Sequence, residues 1–258
     1  SWTSIPLFLR YFSHEIDGWT ANGWRYGFSA LLWLPVLLIG LRRNNLPPGL
    51  WKAALWPSIF NAAAQVAFGL APYYVDASLM AFALRLQIVF VTTGAAIMFA
   101  AERKIVRSPG FIVGIFFVVA GTVATILLRP SGDATNLGMN VPLGVGLSIG
   151  SGLLYAAYAL SVRRCMHGMP PLQAFAAVSQ YTAIVMVGLM FAFAKDLGSA
   201  PLSLEPWKLG LLLLSAVIGI GLGHTLYFYS IGALGLAVSA GVVQLQPVTV
   251  SIAAPFLF

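Results

Sequence analysis

In this chain of 258 residues, 59% of the side chains are hydrophobic and 8% are charged, at a mean hydropathy of +0.89. A water-soluble domain of this size is excluded, because a surface facing water needs more charge. The net charge of +7 does not indicate nucleic acid, since the basic residues lie in short loops between apolar runs and form no stripe with interleaved exposed aromatics. The one cysteine, Cys165, excludes an intramolecular disulfide and a cysteine metal cluster, and neither a metal nor a cofactor is expected.

Taken in chain order, the apolar runs predict full or partial membrane spans at about 1–12, 19–41, 51–70, 75–100, 109–128, 142–164, 171–194, 207–230 and 236–258. Residues 53–75, 108–128, 134–162, 165–194 and 209–258 contain no Asp, Glu, Lys or Arg. A span takes about 20 residues, so the last of these runs is long enough for two. Pro47-Pro48, Pro109, Pro142, Pro170-Pro171 and Pro206 stand at or near predicted starts, where a missing N–H costs little. Pro6, Pro35, Pro57 and Pro247 fall inside spans, as hinges or as static kinks. The first span has half the needed length and is expected to be the end of a longer helix. The last has no polar cap, and a further helix is expected after it.

The loops give the orientation. Arg42, Arg43 and Lys52 share one loop, Arg103, Lys104 and Arg107 a second, Arg163 and Arg164 a third. They alternate with loops carrying Glu15 and Asp17, Asp76, Asp133, and Asp196 with Glu205. The positive-inside rule puts the basic loops in the cytoplasm.

A weak internal repeat runs through the same map. Leu84-Arg85-Leu86-Gln87-Ile88-Val89 returns as Val243-Gln244-Leu245-Gln246-Pro247-Val248, and the register pairs Val91 with Val250, Ala95 with Ala254 and Phe99 with Phe258. Upstream, Trp51-Lys52 matches Trp207-Lys208 and Tyr73 matches Tyr229, once a three-residue gap is allowed. The charge map starts the two Trp-Lys helices from opposite faces. Five helices per repeat would produce that inversion, an architecture usual in small-molecule transporters.

Three features of the first half, Trp24-Arg25-Tyr26, Ala101-Glu102-Arg103-Lys104 and the Gly110…Gly114…Gly121 helix, resemble the drug/metabolite transporter superfamily, more narrowly its EamA-type ten-helix exporters. Leu154-Tyr155-Ala156-Ala157-Tyr158 and Gln244-Leu245-Gln246-Pro247-Val248 extend the resemblance into the second half. It implies an all-α polytopic membrane protein: two inverted five-helix repeats, 1–130 and 131–258, around a central cavity, with the first helix truncated and the tenth absent. The aromatic content is similar to that of bacterial aromatic-amino-acid exporters. This implies a multi-pass protein of the bacterial inner membrane that moves small amphipathic metabolites and acts as a monomer.

Polar side chains at membrane depth are the candidate site residues, because they are costly there unless they face protein or water. Arg85 is a carboxylate clamp by one reading and a donor to backbone carbonyls, or a snorkelling cation, by another. Gln244 is its repeat partner. Gln87 and Gln246 pair in the same way. On a continuous helix residues two apart point about 200° away from each other, so only one of each pair is expected in a common cavity. His224, after Gly219, Gly221 and Gly223, either binds substrate or relays a proton, since its unperturbed pKa lies near neutral, or bonds a neighbouring helix. Tyr155, Tyr158, Tyr181, Tyr227, Trp24 and Tyr26 are candidate walls for a flat, ring-bearing substrate, with ordinary packing as the alternative. No Asp or Glu falls in a predicted hydrophobic core, so proton antiport has little support and facilitated diffusion is a serious alternative.

Rival classes fit less well. Gly146-Leu147-Ser148-Ile149-Gly150 matches G-x-S-x-G and pairs on paper with His224 as an intramembrane serine protease. The motif lies in a small-residue run that reads as a helix-packing face. A seven-helix receptor lacks docking loops. A nucleotide-sugar or sugar-phosphate exchanger of the same superfamily would need more buried positive charge than Arg85 alone. ATP-driven pumping and metal hydrolysis have no motif here.

Overall fold

A computed structural model of the chain describes residues 4–128, 140–246, 248–250 and 252. Trp2, Asp133, Pro247, Ala254 and Phe258 lie outside the described residues. The described part is a bundle of helices: α1 (Ser4–Phe12), α2 (Gly18–Arg42), α3 (Leu50–Leu70), α4 (Ala77–Leu84), α5 (Gln87–Met98), α6 (Arg103–Val106), α7 (Pro109–Leu127), α8 (Val141–Cys165), α9 (Pro171–Phe193), α10 (Pro206–Ser215), α11 (Gly223–Leu234) and α12 (Leu236–Val243). Among the described residues, six segments are long and apolar enough to cross a membrane: Gly18–Arg42, Leu50–Tyr73, Ala77–Met98, Val141–Cys165, Pro171–Phe193 and Pro206–Leu234. The bent pair Ala100–Val106 and Pro109–Thr125, which meet at 73°, makes a seventh if the two helices form one span. The chain is an all-α polytopic membrane protein.

Local chemistry sets the helix ends. The Asp17 carboxylate accepts from the N–H groups of Trp19 and Thr20, and Asp76 from that of Leu79, so each satisfies donors that a first turn leaves open. Pro109, Pro171 and Pro206 each open a helix, where no donor is lost. Leu31, Phe116, Phe117 and Ile184 stand outward on the bundle surface, as lipid-facing side chains do.

Contacts fix the direction of each span. The Gln180 side chain donates to the Ala30 carbonyl at 2.9 Å and that of Gln173 to Asn45 Oδ1 at 3.4 Å, so α2 and α9 run antiparallel. Ser151 donates to the Ala64 carbonyl, and Gly144 sits against Tyr74 and Val75, so α8 runs back along α3. Lys208 pairs with Glu15 at 2.7 Å, which puts the start of α10 on the face where α2 begins. The loops with Arg42, Arg103 and Arg163 therefore gather on one face of the bundle. Trp51 and Trp207 start from opposite faces.

Two spans are broken in register. α4 gives way to α5 at Arg85-Leu86, and α12 ends at Gln244-Leu245, 159 residues later, with the helix resuming at Gln246. Arg85 (φ −68°, ψ −15°) and Gln244 (φ −64°, ψ −14°) have the same backbone conformation. Each donates its N–H three residues back, to Phe82 and to Gly241, as a tight 3₁₀ turn does. The helices also start in register, after Asp76 and after Gly235. They run antiparallel: the Glu102 carboxylate, beyond the end of α5, accepts from the N–H groups of Leu236 at 2.8 Å and Ala237 at 3.1 Å. At the other end, Val250 packs with Ala77 and Ala81. Glu102 is thus a buried helix cap. Pro35 and Pro57 lie within unbroken α2 and α3. The third irregularity is a π-helical stretch, Ala216–Leu222, between α10 and α11.

Candidate functional site

The two breaks and the π-helical stretch face one cavity inside the bundle. α1, α2, α3, α8 and α11 complete its wall, while α7 and α9 stay outside it.

Arg85 enters the cavity from the first break. Its Nη1 donates to the Val243 carbonyl at 3.0 Å, across at the second break. The residue four on from Val243 is Pro247, which has no N–H to complete a helical bond, so that carbonyl is free to accept. Arg85 Nε has no hydrogen-bond partner among the described residues, and the side chain is 2% exposed.

Arg25 enters from α2. Its Nε donates to Ser215 Oγ at 2.9 Å, at the mouth of the π-helical stretch, and Nη1 has no partner among the described residues. It too is 2% exposed. Gly219 allows Ile5 to pack close beside this guanidinium, where any Cβ would collide with it. Arg25 was legible only as part of a motif. Its signal is that it is the one charged residue between Asp17 and Arg42. Gln65, on the α3 wall, was missed as well, although it is a polar side chain in the otherwise mostly apolar run 53–75.

Tyr155, Tyr158 and Tyr227 line the cavity, with Phe68 on edge against Tyr155 at 5.9 Å. His224 meets the Tyr158 hydroxyl at Nδ1, 3.1 Å away, and its ring stacks on Phe175 at 5.3 Å between centroids. Ser148 donates to the Gly144 carbonyl of its own helix at 2.8 Å. The Ser148–His224 pair of the protease reading is therefore not assembled.

The structure places other expected site residues elsewhere. Gln244 does not line the cavity: its amide donates to Ala240 of its own helix at 3.0 Å. Gln246 lines it instead. Arg85 and Gln87 both reach it, against the expectation of opposite faces, because the break between them resets the helical angle. Trp24 points to the bundle end and donates to the Gly198 carbonyl at 2.8 Å. Tyr181 packs edge-on against Trp51 at 5.7 Å, outside the cavity. Tyr26 is wholly buried behind the wall, beside Asn61 and Gln65.

Residues 142–258 match the EamA-like transporter family. The match includes the stretches 154–158 and 244–248 that carry the resemblance in the second half. No curated protein matches the chain. The EamA-like part supplies Tyr155, Tyr158, His224, Tyr227 and Gln246 to the cavity, and both arginines come from the part before it.

Proposed function

We propose that the chain is a membrane exporter of small amphipathic metabolites bearing a carboxylate, working by alternating access between two inverted five-helix repeats, 1–130 and 131–258. The observation that carries this reading is Arg85. A buried guanidinium at a helix break, held on one side and open on the other, is a fork for a carboxylate. The tyrosine wall supplies an apolar surface with hydroxyl handles for the rest of the molecule. Amino acids are the first substrates to test, aromatic ones before the rest because they offer both a carboxylate and a ring. The antiparallel course of α4–α5 and α12 supports the inversion, and the EamA-like match supports transport. By the positive-inside rule the face with Arg42, Arg103 and Arg163 is cytoplasmic in a bacterial inner membrane. Every described residue that lines the cavity comes from this one chain, which supports action as a monomer.

Counterflow in proteoliposomes with labelled amino acids, with and without a pH gradient, tests the reading. Arg85→Ala should abolish flux of every carboxylate substrate and leave elution in detergent unchanged. Undiminished flux through Arg85→Ala overturns the role of Arg85.

A further inference from the structure

Arg25 changes the charge of the site. The cavity holds two guanidinium groups, and no carboxylate lines it among the described residues. Each is anchored through one nitrogen to a neutral acceptor, Ser215 Oγ or the Val243 carbonyl, and each keeps a buried N–H donor without a partner. A buried cation without a counter-charge costs several kcal/mol, and two in one low-dielectric space also repel each other. A zwitterion answers one of them and brings an ammonium into a cavity that is already positive. An anion with two acidic groups answers both.

Building on the transporter reading above, we propose that the cavity selects a compound bearing two anionic groups, one at Arg25 and one at Arg85, with an apolar body lying against Tyr155. Tyr155 lines the same cavity as both cations and offers a ring face to the body of the ligand. Gln65 and Gln87 supply neutral amides to the same cavity. The acidic groups are carboxylates or a carboxylate with a phosphonate. Both chemistries match a planar fork of N–H donors.

The full chain, purified in detergent, is tested by thermal stabilisation against linear dicarboxylates from malonate to pimelate, the phthalate isomers and phosphonoacetate. Benzoate and phenylalanine serve as comparators at matched ionic strength. At least one dianion should bind at least about tenfold more tightly than either comparator, the worth of one charge-assisted contact. Arg25→Gln and Arg85→Gln should each bring that dianion down to the affinity of benzoate, and Arg25→Lys should retain part of the advantage. If an arginine variant aggregates, the wild-type ratio still decides. Equal or tighter binding of phenylalanine or benzoate overturns the proposal. So does a flat response to the whole panel, or an undiminished dianion advantage in folded Arg25→Gln. A response to phosphonoacetate alone assigns one subsite to phosphorus oxyanions, and a response to dicarboxylates alone assigns both to carboxylates. Counterflow separates the two readings: dianion preference without flux keeps the site and ends the transporter, whereas phenylalanine flux without dianion preference does the reverse.

Discussion

Arg85 and Gln244 stand at the same point of two broken helices, yet only Arg85 turns into the cavity. Arg85 reaches across to the carbonyl of Val243, the residue just before Gln244, while the Gln244 amide turns back to Ala240. The matched backbone therefore carries unmatched side-chain roles. Gln244→Ala removes one bond within its own helix and should cost about 0.5–1 kcal/mol of stability with flux unchanged. Gln87→Ala, on the cavity wall, should lower flux severalfold at similar stability. Counterflow rates set beside melting temperatures in detergent separate the two. Equal loss of flux in both variants would count against the assignment.

The first break is held by a glycine. A Cβ on Gly152 would lie 2.7 Å from the Leu84 carbonyl, a backbone atom that cannot swing aside, whereas one on Gly150 would meet nothing within 4 Å. Gly152→Ala should push α8 off the α4–α5 break and destabilise the protein by about 1–3 kcal/mol. Gly150→Ala should be neutral or slightly stabilising, since alanine is the better helix former. Thermal unfolding of the two variants in the same detergent gives the comparison, and matching melting temperatures would refute the close approach.

Glu102 holds the start of α12 with two charge-assisted bonds in a buried place. Glu102→Ala leaves the N–H groups of Leu236 and Ala237 without their acceptors, at a cost of about 1–3 kcal/mol. The first turn of α12 should then exchange its amide hydrogens faster, and Glu102→Gln, which keeps one acceptor oxygen, should fall between. Unaltered exchange over 236–240 in Glu102→Ala would show that the cap does not hold the helix.

The spans were legible in the sequence because runs free of charge and prolines at N-termini report on a helix and its solvent together. Which side chains meet inside was less so. A spacing argument for Arg85 and Gln87 assumes a continuous helix, and the break at Arg85-Leu86 removes that assumption. Three-residue spacing put Tyr155 with Tyr158 correctly, but the rotation of a helix within a bundle is set by its neighbours. Trp24 and Tyr181 went wrong for that reason: their partners, Gly198 and Trp51, are distant in sequence. Arg25 lay in plain view as the lone charge of its span.

The opposite placement of Trp51 and Trp207 has a consequence for labelling from outside the cell. Cys165 is the only cysteine, so replacing it by alanine gives a clean background. Asn45 and Lys104 are exposed on the basic face, and Glu15 and Glu205 on the other. If the basic face is cytoplasmic, as the positive-inside rule expects, single cysteines at Glu15 and Glu205 should react with a membrane-impermeant maleimide in intact cells. Those at Asn45 and Lys104 should react only after permeabilisation. Reaction of Asn45 and Glu15 from the same side would contradict α2 as a crossing helix. Complete reversal of the pattern would keep the fold and turn it over in the membrane, so the two failures differ in what they remove.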